Sequence, residues 1–321
     1  MIPPTGYPAF DDLPRKHGVP TAWDYAPGAS VLGRALHQTP PGVADAARLV
    51  ETGDVFPLGI DPAVLDPPLF GRRPARHRRV QFDHGIVLDD VLDDCHPQAG
   101  SHWDALGHAG ILPDLFHGGA TRSDVDAGRS GTIRHWAQRG IAGRGLVLDL
   151  EPVWGVAGAG FDPTTSRAIT VEDLERCRAN TGLDYATGDI LLLHTGFLRW
   201  YLGQPARTRH ALAESPFPRW IGLAHTEDMA RYLWNTGCAA VATDTPALEV
   251  WPPDKTRAAW PWGYLHRVLL AGLGIAIGEL WWLADLAPHC RSIDRHQAFV
   301  TSAPWHHGTT VGSPANALAI T

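Results

Sequence analysis

The eleven residues Gln98-Ala-Gly-Ser-His102-Trp-Asp104-Ala-Leu-Gly-His108 hold an amide, two imidazoles and a carboxylate, spaced four, two and four apart. Imidazole and carboxylate are common ligands of divalent metals, and imidazole suits zinc, iron and manganese. A carboxamide such as Gln98 binds more weakly, through its oxygen, and adds no charge. His102 and Asp104 lie two apart, so on an extended segment both side chains point to the same side and reach one ion. Gln98 and His102 are four apart, as are Asp104 and His108. Each pair meets on one helical turn, but the four cannot share one helical face. A loop running into a helix start serves the set better than one continuous helix or strand. The small residues Ala99, Gly100, Ser101 and Gly107 let the backbone turn closely around an ion. With 17 His in the chain, any one alone reads as structural; two of them with an Asp at this spacing are less easily explained by packing. The chemistry such a set supports is hydrolysis by metal-activated water.

The elements that must position these groups are short. Residues 145–150 and 189–194 read as buried strands that follow turn residues. Thr170-Val-Glu-Asp173 has capping-box spacing, with Asp173 in place of the usual Glu or Gln, and predicts a helix to about Asn180. Residues 226–234 read as a helix, 239–243 as a strand, 263–271 as helical, 275–279 as a strand and 281–288 as a short helix. Strands interleaved with helices predict an α/β domain. Residues 1–80 are rich in Pro and Gly, with one helix expected at 42–51. The simplest division is an N-terminal arm at 1–44, which wraps the body or a neighbouring subunit, and one domain at 45–321.

Composition narrows the function. Hydrophobic residues make up 44% of the 321 and charged residues 19%, enough for a globular chain with a large core. The 13 Trp read as core and interface packing. A net charge of −7 offers no electrostatic footprint for nucleic acid or an anionic membrane. The basic cluster Arg72, Arg73, Arg76, Arg78 and Arg79 surrounds Pro74; a solvated loop is favoured there over a clamp for an anionic substrate. Cys95, Cys177, Cys238 and Cys290 are far apart, with neither zinc-ribbon nor disulfide spacing. The N-terminus has no apolar leader core, and no apolar run approaches ~18 residues, so a cytoplasmic, reduced protein is expected. The glycines of 155–160 are in the wrong order for a dinucleotide loop. There is no phosphate loop of the Gly-Lys-Ser/Thr kind and no nucleophile elbow. His84 and the pair His306 and His307 read as turn residues.

The metal-ligand segment resembles the signature of the cyclase family of metal-dependent hydrolases, the kynurenine formamidase- and isatin hydrolase-like enzymes. That signature reads His-x-Gly-Thr-His-x-Asp-x-Pro-x-His, with a long-chain subgroup that has Gln first and Trp before Asp. Here it stands as Gln98 to His108, with no Pro between Asp104 and His108. Further segments occur in family order: Arg134 to Asp149, Gly188 to Gly196, Thr243-Asp-Thr-Pro246, Leu265-His266, Gly278-Glu-Leu280 and Val311 to Asn316. The likeness spans roughly residues 45–320.

The resemblance implies a swivelling β/β/α fold with a mixed sheet and flanking helices, in homodimers or homotetramers. It implies a metal held by His102 and Asp104, with Gln98 at the first-ligand position, and His108 as a proton shuttle. It further implies that His266 and Glu279 belong to a second metal or, for Glu279, to general base catalysis. One or two divalent ions, zinc or manganese, would serve. The expected activity is hydrolysis of an amide, lactam or lactone of a small cyclic or aromatic substrate. The alternative is a catalytically inactive family member that binds a small molecule, since Gln98 replaces a stronger ligand. Trp103, Asp244 and His194 are candidates for the substrate pocket, each with a structural role as the competing explanation.

Overall fold

The computed structural model describes residues 6–155 and 162–321. The glycine run at 155–160 therefore lies outside the described residues from 156 onward. Nine strands among the described residues form one mixed sheet. They are β1 Val55–Pro57, β2 His102–Asp104, β3 Ile141–Asp149, β4 Ile190–His194, β5 Ala240–Thr243, β6 Ala276–Glu279, β7 Gln297–Ser302, β8 Gly312–Pro314 and β9 Ala317–Ile320. Their order across the sheet is β8-β2-β6-β5-β4-β3-β7-β9-β1.

β3, β4, β5 and β6 run parallel at the centre. Their residues are apolar without alternation because both faces are covered: Leu146 to Leu148, Ile190 to Leu193, Val241 and Ile277 are all fully buried. The helices Val171–Thr181 and Glu227–Thr236 contribute Leu174, Cys177, Met229 and Leu233 to the same core. The capping box at Thr170 and Asp173 forms in both directions, as its spacing predicts. Because the four central strands are parallel, Asp149, His194, Thr243 and Glu279 all end on one edge of the sheet. That edge is where open α/β sheets bind ligands. β2 is antiparallel to β6 and places its own residues at that edge.

Several sequence expectations shift. The ligand segment is not a loop entering a helix: residues 102–104 form a strand, because β6 and β8 flank them and supply the ladder hydrogen bonds. The helix expected at 281–288 runs instead over Leu286–Ser292. Trp281 is committed to the core, and Pro288 sits in the first turn, where proline is tolerated. The helical stretch after residue 263 is a π-helix at Arg267–Leu273. The arginine segment is a hairpin, Arg76–Phe82 against Val87–Asp93, rather than a loop. His84 occupies its turn with φ of 55°.

The stretch before residue 45 enters the same core as the sheet, through Phe10, Leu13, Val19, Trp23 and Ala35. The Trp23 indole donates to the Ala271 carbonyl at 2.7 Å, and Ala22 N–H donates to Gly272 at 2.9 Å. Among the described residues no helix is long and apolar enough to cross a membrane.

Candidate metal centre

Strand alternation decides which side chains of β2 meet. His102 and Asp104 share one face and Trp103 takes the other. Trp103 is fully buried, 4.7 Å from the Trp281 ring and 6.3 Å from the Trp136 ring, with its indole donating to Ser302 Oγ at 2.9 Å. It is a core residue and no wall of a pocket. Residues directly opposite in a ladder share a face, so the pairing of His102 with Glu279 brings that carboxylate to the same side. Gly278, one residue earlier, lets Trp281 close in: a Cβ there would stand 2.8 Å from the indole nitrogen. That nitrogen donates to the His102 carbonyl at 3.1 Å, so the core pins the ligand strand. His266 arrives at the start of the π-helix that leads into β6.

The gathered atoms face one another closely, and the contacts to Asp104 are too long for hydrogen bonds. His102 Nε2 lies 3.3 Å from Glu279 and 3.7 Å from Asp104. His266 Nε2 lies 3.0 Å from Glu279 and 3.7 Å from Asp104. His102 Nε2 and both Asp104 oxygens are buried without a hydrogen-bond partner. Orphaned buried polar atoms require an explanation, and an ion is a leading one. Four ligands at zinc-like bond lengths of about 2.0–2.1 Å stand roughly 3.3 Å apart in a tetrahedral site. The observed spacing fits a shared cation, and His102, Asp104 and Glu279 form a group that could hold a divalent metal.

The outer ring nitrogens are already assigned. His102 Nδ1 is 2.8 Å from the Gly100 carbonyl, which only accepts, so Nδ1 carries the proton and Nε2 faces the centre. His266 Nδ1 is 2.5 Å from Glu249 Oε2, which leaves its Nε2 facing the centre as well. This is the stance of metal-ligating histidines, whose other nitrogen is held by a carbonyl or carboxylate. The His266 ring also stacks on Tyr264, at 5.3 Å and 3°.

Without an ion, protons hold the cluster together. Burial alone would depress His102, but Asp104 and Glu279 outweigh it and push its pKa up to about 9. Burial likewise opposes the charged form of His266; Glu249 foremost, with Glu279, holds its pKa well above the usual range. Burial would raise the two carboxylates, yet the surrounding imidazoles hold Asp104 far below its usual range and Glu279 down at about 2. A metal ion binding here displaces the Nε2 protons.

Gln98 lies beside this group. Gly312 pairs with Asp104 across the β8–β2 ladder, and a Cβ at 312 would stand 2.1 Å from the Gln98 amide nitrogen. The glycine is thus a seat for the amide on the Asp104 face of the sheet. Gly312→Ala is expected to push the flexible Gln98 side chain aside at little cost in stability, while metal affinity falls by about tenfold. Metal titration beside a thermal melt checks this; unchanged affinity would mean that Gln98 takes no part.

His108 lies at the opening, its side chain 25% exposed, with Nδ1 3.4 Å from Asp104. Burial lowers its pKa below the usual histidine range. The structure therefore gathers His102, Asp104, His108, His266 and Glu279, with Gln98 adjoining. His194 and Asp244 take other partners. His194 Nδ1 is 2.9 Å from Asp149, in a second His–carboxylate group with Glu151. The guanidiniums of Arg291 and Arg199 already meet the charge of those carboxylates. Asp244 accepts from Thr195 N–H, Thr195 Oγ1 and Gly196 N–H at 2.6–2.9 Å, so it shapes the turn after β4. His306 and His307 are exposed.

Sequence reasoning missed Glu249 and Tyr264, which orient His266. Glu249 stands 17 residues before His266, a separation at which no local pattern links them.

Residues 92–250 match the model of a family described as "Putative cyclase". A solved structure described as a novel cyclase is 27% identical, covering 90% of this chain and 96% of that one with a TM-score of 0.78. An isatin hydrolase bound to the product analogue thioisatinate is 16% identical, covering 84% and 92% with a TM-score of 0.60. Isatin hydrolase A from Ralstonia solanacearum is 18% identical, covering 88% and 97%, also at 0.60. The isatin hydrolases share the fold with this chain. No curated protein matches it.

Proposed function

We infer from this chain's membership of the cyclase family that it is a metal-dependent hydrolase cleaving an amide, lactam or lactone of a small cyclic or aromatic substrate. The observation that carries this reading is the grouping of His102 Nε2, Asp104 and Glu279 within reach of one ion, with His266 Nε2 against both carboxylates, and with His102 Nε2 and both Asp104 oxygens buried without a hydrogen-bond partner. Those four residues would hold the metal, zinc or manganese by their chemistry, with Gln98 as a weaker neighbour. When bound, such an ion supplies a Lewis acid and lowers the pKa of water towards neutrality.

The chain's own residues supply the rest. Gly100 and Glu249 fix the two imidazoles with Nε2 inward. His108 faces Asp104 through Nδ1, so its Nε2 is the atom that accepts a proton from the attacking water. The same atom then returns the proton to the leaving nitrogen or oxygen. Its depressed pKa keeps that nitrogen unprotonated near neutral pH. Glu279 is committed between two imidazoles and to the Leu248 N–H at 2.8 Å, which favours it as a ligand over a general base.

The deciding measurement is the metal content of protein purified without a tag or chelator, beside turnover of activated amides and lactones. About one or two equivalents per chain with metal-dependent turnover is the expected result. No metal and no uptake of added zinc, manganese or iron would leave the non-catalytic binding protein as the better description.

A further inference from the structure

Five arginines stand in the 72–79 segment, and four of them neutralise acids at the surface. Arg73 and Arg76 hold Asp94 at 2.8 and 2.9 Å, Arg78 holds Asp93 at 3.0 Å, and Arg79 faces Asp90 at 3.6 Å. Arg72 is different. Its Nη1 donates to the Gln98 carbonyl at 2.6 Å, and its guanidinium lies over the Phe70 ring, 4.9 Å from the centroid. Both partners are neutral, and among the described residues Arg72 forms no ion pair.

The position is telling. Gln98 opens the ligand segment, and its amide sits on the Asp104 face of β8, so Arg72 stands at the rim of the metal centre. Burial works against its charge, and the carboxylates of Glu279 and Asp104 lie near enough to support it. Phe70 meets Trp220 and Trp251 edge-on at 5.3 and 5.1 Å, and those two indoles stack at 5.2 Å. Phe70 keeps 40% of its surface exposed. A cation with unused donors therefore stands beside an open aromatic surface next to the centre. A guanidinium fork matches a carboxylate with two parallel hydrogen bonds.

We propose that Arg72 is a specificity residue that binds a carboxylate carried by an aromatic substrate, so that the natural substrate is an anionic aromatic acyl compound. This deepens the hydrolase reading and rests on it for the word substrate. The recognition itself needs only Arg72, the Gln98 carbonyl that aims it and the Phe70 ring that backs it.

The test uses benzoate and its neutral counterpart benzyl alcohol, titrated calorimetrically into the protein as purified, with metal content measured on every sample. Wild type is expected to bind benzoate more tightly than benzyl alcohol. Arg72→Met should weaken benzoate by about 10- to 100-fold, the range of a charge-assisted pair, and leave benzyl alcohol within about threefold. Arg72→Lys keeps the charge without the fork and should fall between, which separates recognition from a folding defect. Equal benzoate binding by wild type and Arg72→Met would overturn the proposal. So would a parallel loss of both ligands, or no preference for benzoate in wild type. A protein that lacks metal but shows the Arg72 effect would sink the hydrolase reading alone. A protein that holds metal without that effect would sink this inference alone.

Discussion

Asp104→Asn is expected to leave the protein with less than about a tenth of its wild-type metal and to slow turnover by roughly 10²–10³-fold or more. The carboxylate is the hub of the centre, within 3.7 Å of His102 Nε2 and His266 Nε2 and 3.4 Å from His108 Nδ1. It is buried, and neither oxygen has a hydrogen-bond partner in the protein. Asn matches its shape, removes its charge and turns an N–H₂ donor towards the ring nitrogens. In metal-free protein the same change should cost about 3–5 kcal/mol of stability, the usual result of removing one member of a buried ion pair.

The pH dependence of that cost has a definite sign. His102 has a raised pKa in the folded state, so its share of stability is complete below about pH 6.5, its unfolded value. It is lost as the pH rises through about 9. Asp104, held far below its usual range, loses its own share as the pH falls below about 4, so the gap between wild type and variant should be widest between about pH 4 and 6.5 and narrow both in stronger acid and above pH 9. Elemental mass spectrometry and thermal melts across pH check both parts; full metal occupancy in the variant would dismiss Asp104 as a ligand.

His108→Ala should lower kcat by about 10²–10⁴-fold, the usual range for a lost general acid–base, with metal content unchanged. The difference from Asp104 follows from position: His108 touches the hub from the opening and is not enclosed by it. Because burial depresses its pKa, the wild-type rate should persist below pH 6.5. The rate should fall only once the pH drops through the depressed value, and the variant should lack that acid limb. Turnover that survives the substitution would reassign the proton transfer to another group.

The two-residue step from His102 to Asp104 was readable because a strand turns that spacing into a shared face. The strand itself was not, because its identity comes from β6 and β8, whose residues lie far along the chain. The buried runs of β3, β4 and β5 announced themselves by unbroken apolar residues, as strands covered on both faces do. The family signature pointed to His266 and Glu279, while nothing local pointed to Glu249, whose role appears only when it meets His266. Arg72 was hidden by its neighbours: five arginines within eight residues look like one solvated patch until four of them find surface acids. Trp103 was misleading for the opposite reason. It stands between two ligands in the sequence, and strand alternation turns it away from both.

The ligand strand β2 is held on one side by β6 and on the other by β8, at residues 312–314. Synthesis runs from the N-terminus, so His102 and Asp104 leave the ribosome long before either neighbour exists. A nascent chain thus carries two candidate metal ligands without the sheet that aligns them. The seat for Gln98 arrives with β8 itself, at Gly312. A metal held by these residues would therefore be selected by a nearly finished fold rather than by the peptide that carries His102 and Asp104. Long-range strand pairing of this kind is slow to form, which places the ordering of the centre among the last steps of folding.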